Sequence, residues 1–343
     1  MNRFEWVDAR AVSDAVTAAP VTVAEAMRSA TGEQPSQAVV VKAGGVDLLD
    51  LMKEDLLRPR RLINLRGIAE LGAIAQVQDG TLRIGALATL AQVAEHPIVR
   101  ARYVALADAA GRSASSQIRQ VATLGGNLLQ RPRCWYFRSS QHHCARKGGA
   151  TCFAFAGENQ YHAIFDHHGC AIVHPSTAAT ALVALGAKVE IATPQASRRE
   201  ARLEDFLVLP DVDIHRENDL RAGEILTAII VPPLPATARS VHMKQGERDS
   251  FDWPIADVAT VLDLAPNGSC RLASIVLGAA APVPHRAKAA EAVLLGHAVD
   301  EKMAQAAASA SLVGASALTK NGYKFPIFET LVRRAVLAAA GRT

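Results

Sequence analysis

The chain has 343 residues, 50% of them hydrophobic and 20% charged, with a formal net charge of +4. That length allows two or three domains with ample core, and the small net charge, with Lys and Arg spread along the chain, gives no case for nucleic-acid binding. No apolar run is long enough to span a bilayer, and Glu5 and Asp8 stand where a signal peptide would carry its apolar core.

In chain order, Thr22 and Glu25 form a T-x-x-E capping box that predicts a helix over 22–30. Ala38 to Val41 is a short β-branched run of the kind expected for a buried strand. It ends in Gly44-Gly45, and DLLDLMKEDLL follows with helical spacing. RRLINLR, 60–66, is the next expected strand. AIAQVQ and TLRIGAL flank Asp79-Gly80, a two-residue hairpin signal. Thr89 and Gln92 cap a further helix that stops before Pro97, and 98–110 is expected to be helical. The segment Ser115–Gln130 carries a second glycine pair, Gly125-Gly126.

Arg133 to Ala171 shows little periodicity and reads as a long loop. It holds four of the five cysteines, Cys134, Cys144, Cys152 and Cys170, with five histidines among them. Loops of this length inside a compact domain are usually functional, and thiolates around a metal would hold one together. Four thiolates suit tetrahedral zinc or an iron–sulfur cluster. The spacing, C-x9-C-x7-C-x17-C, contains no C-x2-C, so the residues alone leave zinc, iron–sulfur and free thiols open. The histidines His142, His143, His162, His167 and His168 read as ordinary loop residues. Cys270, at an expected strand start, reads as an inert thiol.

Beyond the loop the pattern is regular again. Residues 177–186 form an alanine-rich helix ending at Gly186, and 188–193 and 224–231 are strands. The second strand runs into Pro232-Pro233-Leu234-Pro235, taken as a domain boundary. Three strands (240–245, 255–264, 271–278) and three helices (285–295, 301–313, 325–340) follow. That order predicts an α+β domain with a helical layer on a three-stranded antiparallel sheet.

A strand that ends in Gly-Gly and feeds a helix lets the backbone approach a ligand and aims N–H groups at an anion such as a pyrophosphate. Either glycine pair alone is better read as a tight turn, and the two together favour one large phosphorylated ligand. Neither is a G-x-G-x-x-G fingerprint or a P-loop, so a nicotinamide site is not supported. No constellation for acid–base or nucleophilic catalysis is present, and no catalytic residue is assigned.

At this point the wording of the motifs resembles a known family. VVVKAGGVDLLDLMK is similar to the first flavin-binding motif of the FAD subunits of the xanthine dehydrogenase, or molybdenum hydroxylase, family, and QIRQVATLGGNLLQRPRC to the second. KQGERDSFDWPIADVATVLDL resembles the start of that family's C-terminal flavoprotein domain, and NGYKFPIFETLVRRAV its closing helix. The resemblance implies an α+β fold: a two-part FAD-binding domain of the PCMH/VAO type (1–62 and 63–232), then a C-terminal α+β domain (236–343). The wording NLLQR-x-RC and the C-x-x-x-HPS exit from the loop narrow the resemblance to a subset, the medium subunits of periplasmic aldehyde oxidoreductases. These carry an inserted [4Fe–4S] loop, here about 131–171, and 4-hydroxybenzoyl-CoA reductases carry a comparable insertion.

By that resemblance the cofactors are FAD and a [4Fe–4S] cluster, the latter held by Cys134, Cys144, Cys152 and Cys170. Val40, Val41, Lys42, Ala43, Gly44, Gly45, Val46, Asp47 and Leu48 are implied at the FAD pyrophosphate, with Thr123, Gly126 and Asn127 on the other side of the nucleotide. Ile172 is implied to touch the flavin. Lys244 matches a family position near the isoalloxazine, a solvated strand lysine being the alternative. Two positions depart from the family: Val46 replaces a hydroxyl residue, and Thr177 stands where Asp usually follows HPS.

The implied role is an electron-transfer subunit of a heterotrimeric molybdenum aldehyde oxidoreductase, in which the cofactor does the chemistry. The implied partners are a molybdenum-cofactor large subunit, a [2Fe–2S] small subunit and an external electron acceptor (oxygen, ferredoxin or quinone). Compartment stays open, because a partner with a twin-arginine signal could carry the complex outward. The competing readings are a stand-alone flavin oxidase and a zinc-stapled scaffold.

Overall fold

The computed structural model describes residues 2–29, 37–248 and 251–342. Its first sheet is parallel. Strands β1 (Glu5–Asp8), β2 (Val39–Lys42) and β3 (Arg61–Asn64) lie in the order β1-β3-β2, with Val40 opposite Leu62. Gly44 and Gly45 turn the chain from β2 into the helix Val46–Lys53, and Gly45 does so at φ +87°, where a β-carbon is disfavoured. That helix buries Leu48, Leu51 and Met52, each contributing roughly 2 kcal/mol of transfer free energy. The expected helix over 22–30 runs Val23–Ser29, started by the reciprocal Thr22–Glu25 bonds; Ala30 lies outside the described residues.

The second sheet is antiparallel. It contains β4 (Ile74–Gln76), β5 (Leu82–Gly85), β6 (Lys188–Ala192), β7 (Arg198–Arg202) and β8 (Ile225–Val231), in the order β4-β5-β8-β6-β7. The cysteine loop is therefore an excursion between the second glycine turn and the helix Thr177–Ala184. Residues 98–110 do not form one helix. The chain breaks at Tyr103 (φ −128°, ψ 53°), between helices Pro97–Arg102 and Val104–Gly111. The Tyr103 ring is buried there and its hydroxyl donates to the Pro232 carbonyl at 3.2 Å.

After the prolines the chain enters a third sheet, β9 (Arg239–Gln245), β10 (Ala256–Leu264), β11 (Cys270–Gly278) and the two-residue β12 (His285–Arg286), in the order β12-β11-β10-β9. The three expected strands thus gain a short fourth. Alternation sorts the sheet into two faces. Val258, Leu262, Ile275 and Leu277 pack with the helices Lys288–Leu294, Glu301–Ala310 and Lys324–Ala339. Ala259, Val261 and Val276 face the other way and join the core beneath Val104–Gly111 and Thr177–Ala184. That shared core holds the two halves of the chain together.

Candidate functional site

The two glycine turns face each other across a cavity of about 420 Å3. Each turn is held tightly against a neighbouring segment, the first against Val121 and the second against Ala86. A β-carbon on Gly44 would lie 2.1 Å from the Val121 carbonyl oxygen, and one on Gly125 would lie 2.9 Å from the Ala86 oxygen. The helix Val46–Lys53 has no side chain capping its first turn, so its leading N–H groups are free for an anion in the cavity. Opposite, Thr123 caps the short helix Leu124–Leu128 by accepting from Gly126 N at 3.1 Å. Asn127 is oriented by Ser176, whose hydroxyl donates to Asn127 Oδ1 at 2.5 Å.

Of the residues singled out for the nucleotide, Val41, Ala43, Gly44, Gly45, Val46, Asp47 and Leu48 line this cavity, as do Thr123, Gly126, Asn127 and Lys244. Three lie elsewhere. Val40 is buried in the core behind β2. Lys42 turns its ammonium to the opposite side, 5.2 Å over the Trp6 ring and 3.4 Å from Asn64 Oδ1. Ile172 is buried against the cysteines. Lys244 is half-buried, and its ammonium donates to the carbonyls of Asp252 (2.5 Å) and Arg112 (3.0 Å). Thr177 lines the cavity, but its hydroxyl bonds Ser113 Oγ (2.7 Å) and donates to Ala109 O (3.1 Å). The hydroxyl is thus committed to the protein.

Asp47 has a second employment. It accepts from Arg131 N at 2.9 Å and pairs with Arg133 (2.9 Å) and Arg138 (2.6 Å). Asp50, one turn on, takes the same two guanidinium groups at 3.1 Å each. Arg133 also lies against the Trp253 ring, 4.9 Å from its centroid. The first turn of the nucleotide-side helix is thereby stapled to the start of the cysteine loop. The motif wording did not reveal this, although Arg131 and Arg133 sit inside the second motif itself.

The loop carries one turn of helix, Trp135–Arg138, and 3-10 turns at Ala145–Lys147 and Phe153–Phe155; the rest is irregular. Cys134, Cys144, Cys152 and Cys170 are all free and line one small cavity with Arg146, His162 and Ile172. The sulfurs receive N–H groups. Those of Tyr136 and Phe137 lie near Cys134, those of Ala154 and Ala171 near Cys152, and that of Ile172 near Cys170, each favouring the thiolate. Arg146 Nε donates to Cys170 Sγ at 3.4 Å, and His162 Nε2 lies 3.2 Å from Cys134 Sγ.

The thiols are unequal. Burial pushes Cys134 up to about 11. The Cys152 thiol donates to Cys170, which raises Cys152 and brings Cys170 down to about 6; Arg146 adds to the fall. Among the described residues, no group of three or more His, Cys, Asp or Glu side chains is placed to hold a metal ion. The four cysteines implied for the cluster nonetheless line this one cavity together. Cys270 lies apart, buried at the start of β11 and bonded to the Leu272 carbonyl.

Behind Lys244 is a buried polar group. Asp257 is 1% exposed and lies against Thr180 and the Gly278 N–H; burial pushes its carboxyl up to about 7. His242, 4.0 Å away, is brought down to about 3 by burial, so it stands neutral beside the carboxyl at neutral pH. Lys324, fully buried, donates to the carbonyls of His162 and Ala279.

Two family models cover this arrangement. The FAD binding domain in molybdopterin dehydrogenase matches residues 6–234, and the CO dehydrogenase flavoprotein C-terminal domain matches 241–339. The chain belongs to the FAD-binding medium subunits of the molybdenum hydroxylases, oxidoreductases in which this subunit binds FAD. It is 38% identical over 254 residues to the aldehyde oxidoreductase FAD-binding subunit PaoB of Escherichia coli, covering 74% of this chain and 78% of that one. It is 28% identical over 329 residues to the carbon monoxide dehydrogenase medium chain of Hydrogenophaga pseudoflava, covering 94% and 96%. A solved carbon monoxide dehydrogenase from the latter organism superposes with a TM-score of 0.73 over 99% of this chain and 98% of its own, at 26% identity. No helix among the described residues is long and apolar enough to cross a membrane.

Proposed function

We propose that this chain is the FAD- and [4Fe–4S]-carrying subunit of a heterotrimeric molybdenum aldehyde oxidoreductase. A molybdenum-cofactor large subunit and a [2Fe–2S] small subunit complete the assembly. Electrons taken from an aldehyde there pass to FAD here and on to an external acceptor. FAD binding follows from the family; the cluster, the routing and the choice of aldehyde are the proposal. The likeness to an aldehyde oxidoreductase subunit supports the substrate class.

The observation that carries the cluster reading is the sulfur site. Four free thiols face one buried cavity beside the flavin wall, with backbone N–H groups and a guanidinium aimed at the sulfurs. Donors of that kind hold and tune thiolate-bound iron. When bound, such a cluster supplies one-electron chemistry. The chain's part is to orient Cys134, Cys144, Cys152 and Cys170 and to keep water out. In the FAD cradle, Ala43 to Leu48 and the first helical turn take the pyrophosphate, and Thr123, Gly126 and Asn127 take the facing side. Lys244 lies at the inner wall, and Ile172 closes the partition on the cysteine side. The corresponding units are 1–62, 63–232 with the loop about 131–171, and 236–343.

Protein purified without oxygen tests this reading by its absorption spectrum. Flavin bands near ~450 nm above a broad, reducible shoulder near ~400 nm are expected of the two cofactors together. A flavin spectrum alone, with stoichiometric zinc, would replace the cluster by a zinc staple. Turnover of an aldehyde or alcohol by the isolated chain would favour a stand-alone oxidase.

A further inference from the structure

The cysteine cavity and the flavin cavity share a wall, and that wall is ionic. Arg146 is 2% exposed and lines the cysteine side. Its Nε donates to Cys170 Sγ at 3.4 Å and its Nη1 to Glu217 Oε1 at 2.5 Å. The other Glu217 oxygen forms an ion pair with Arg131, 3.1 Å from its Nε. Arg131 and Glu217, 3% and 4% exposed, line the flavin side. One carboxylate thus serves two buried guanidinium groups, and Arg146 Nη2 has no partner at all. A buried charge left uncompensated is costly. Arg146 Nη1 also donates to the Arg216 carbonyl at 3.4 Å, which leaves the electron-rich sulfur of Cys170 as the partner of its Nε.

We propose that Arg146 is a positioning residue that raises the reduction potential of the cluster bound by the loop, and that Glu217 divides its charge between the cluster wall and the flavin wall. This deepens the cluster reading above and rests on it. Reduction adds one electron, and so one negative charge, to a thiolate-ligated cluster. An N–H donor carrying full positive charge favours that reduced form over the oxidised one. Glu217, pulling on the same guanidinium, opposes it. The two residues therefore act with opposite sign on one potential.

The test uses the full chain purified anaerobically, with iron and FAD counted. It is titrated with dithionite while the paramagnetic signal of the reduced cluster and the flavin absorbance are followed. Arg146→Gln is expected to shift the reduced-to-oxidised ratio at fixed poise about tenfold toward oxidised, a fall of about 59 mV for a one-electron couple. Arg146→Lys, which keeps the charge, should fall less. Glu217→Gln should shift the ratio the other way.

A residue that only braces the loop would lower iron content or thermal stability without that reversal of sign. Full iron with an unchanged potential in Arg146→Gln and Glu217→Gln overturns this inference alone. So does a lowered potential in Glu217→Gln, or loss of iron in all three variants. Wild-type protein without iron overturns the cluster reading, and this inference with it.

Discussion

Gly44 lies against Val121 so closely that a β-carbon at position 44 would meet the Val121 carbonyl oxygen at 2.1 Å. Real side chains do not tolerate that contact, so one of the two turns must move. Gly44→Ala is expected to push the helix Val46–Lys53 away from the segment leading to Thr123, parting the two walls of the nucleotide cavity. FAD affinity should fall at least about tenfold, about 1.4 kcal/mol. Flavin fluorescence titration of the apoprotein measures it. Unchanged affinity would show that the close approach serves packing only.

Asp47 should prove to be the keystone of the cysteine loop. It bonds the Arg131 amide and the guanidinium groups of Arg133 and Arg138. Asp47→Asn removes the charge and leaves Asp50 as the carboxylate that both half-buried arginines share. Hydrogen bonds to charged groups contribute about 1.5–3 kcal/mol each, so a loss of about 2 kcal/mol is expected, with faster proteolytic cutting inside 131–171. Asp50→Asn, at a more exposed carboxylate, should do less. Equal effects from the two substitutions would refute the ranking.

Cys152→Ser is expected to lose most of the bound iron while the flavin bands persist, because Cys152 lines the sulfur cavity and not the flavin cavity. Iron analysis beside the flavin spectrum reads both at once. Cys270→Ser serves as the contrast and should keep its iron. Full iron in Cys152→Ser rules that sulfur out as a ligand.

Stability should carry a pH signature from Asp257. Burial holds its folded-state carboxyl up at about 7, against ~3.9 in an unfolded chain. The folded state therefore binds this proton more tightly. The contribution is full below about 4 and is lost as pH rises through about 7. The groups facing it are Thr180 from the neighbouring helix, His242 and Lys244 from β9, and Lys324 from the last helix. Lys324, lowered to about 7 by burial, works in the opposite sense and above that pH. Urea midpoints between pH 4 and 7 should show the wild type losing ground to Asp257→Asn. A wild type that gains on the variant across that window contradicts the assignment.

The sequence carried the strands and turns wherever burial leaves a pattern. Val39–Lys42 alternates between buried and half-buried residues, and the glycine pairs sit where two backbones touch. What escaped has no such pattern. β1, Glu5–Asp8, exposes all four residues and exists because β3 offers it a parallel edge. β7 is Arg-Arg-Glu-Ala-Arg, a charged edge strand whose polarity suits its position rather than announcing it. Helix Ser116–Val121 buries nothing.

The site divides the same way. Gly44, Thr123 and Asn127 lie in recognisable wording and line the cavity. Glu217 comes from an irregular segment, and only the folded chain brings it to Arg146 and Arg131, 71 and 86 positions earlier. Lys42 and Val40 fall inside the motif yet point away from the cavity. A strand sends alternate side chains to opposite faces, so contiguity in sequence does not mean a shared wall.

The far side of the cysteine loop is built by residues from the end of the chain. Lys324 and Asn321 hold the His162 carbonyl, Tyr323 holds that of Gln160, and Lys320 N donates to Asn159. Lys324 is translated 162 positions after its partner. The loop consequently has no second wall while the chain is still being made. The loop is therefore walled on this side only once residues 320–324 are in place, and a chain cut short before Asn321 lacks the bonds that Asn321 and Lys324 make to the His162 carbonyl.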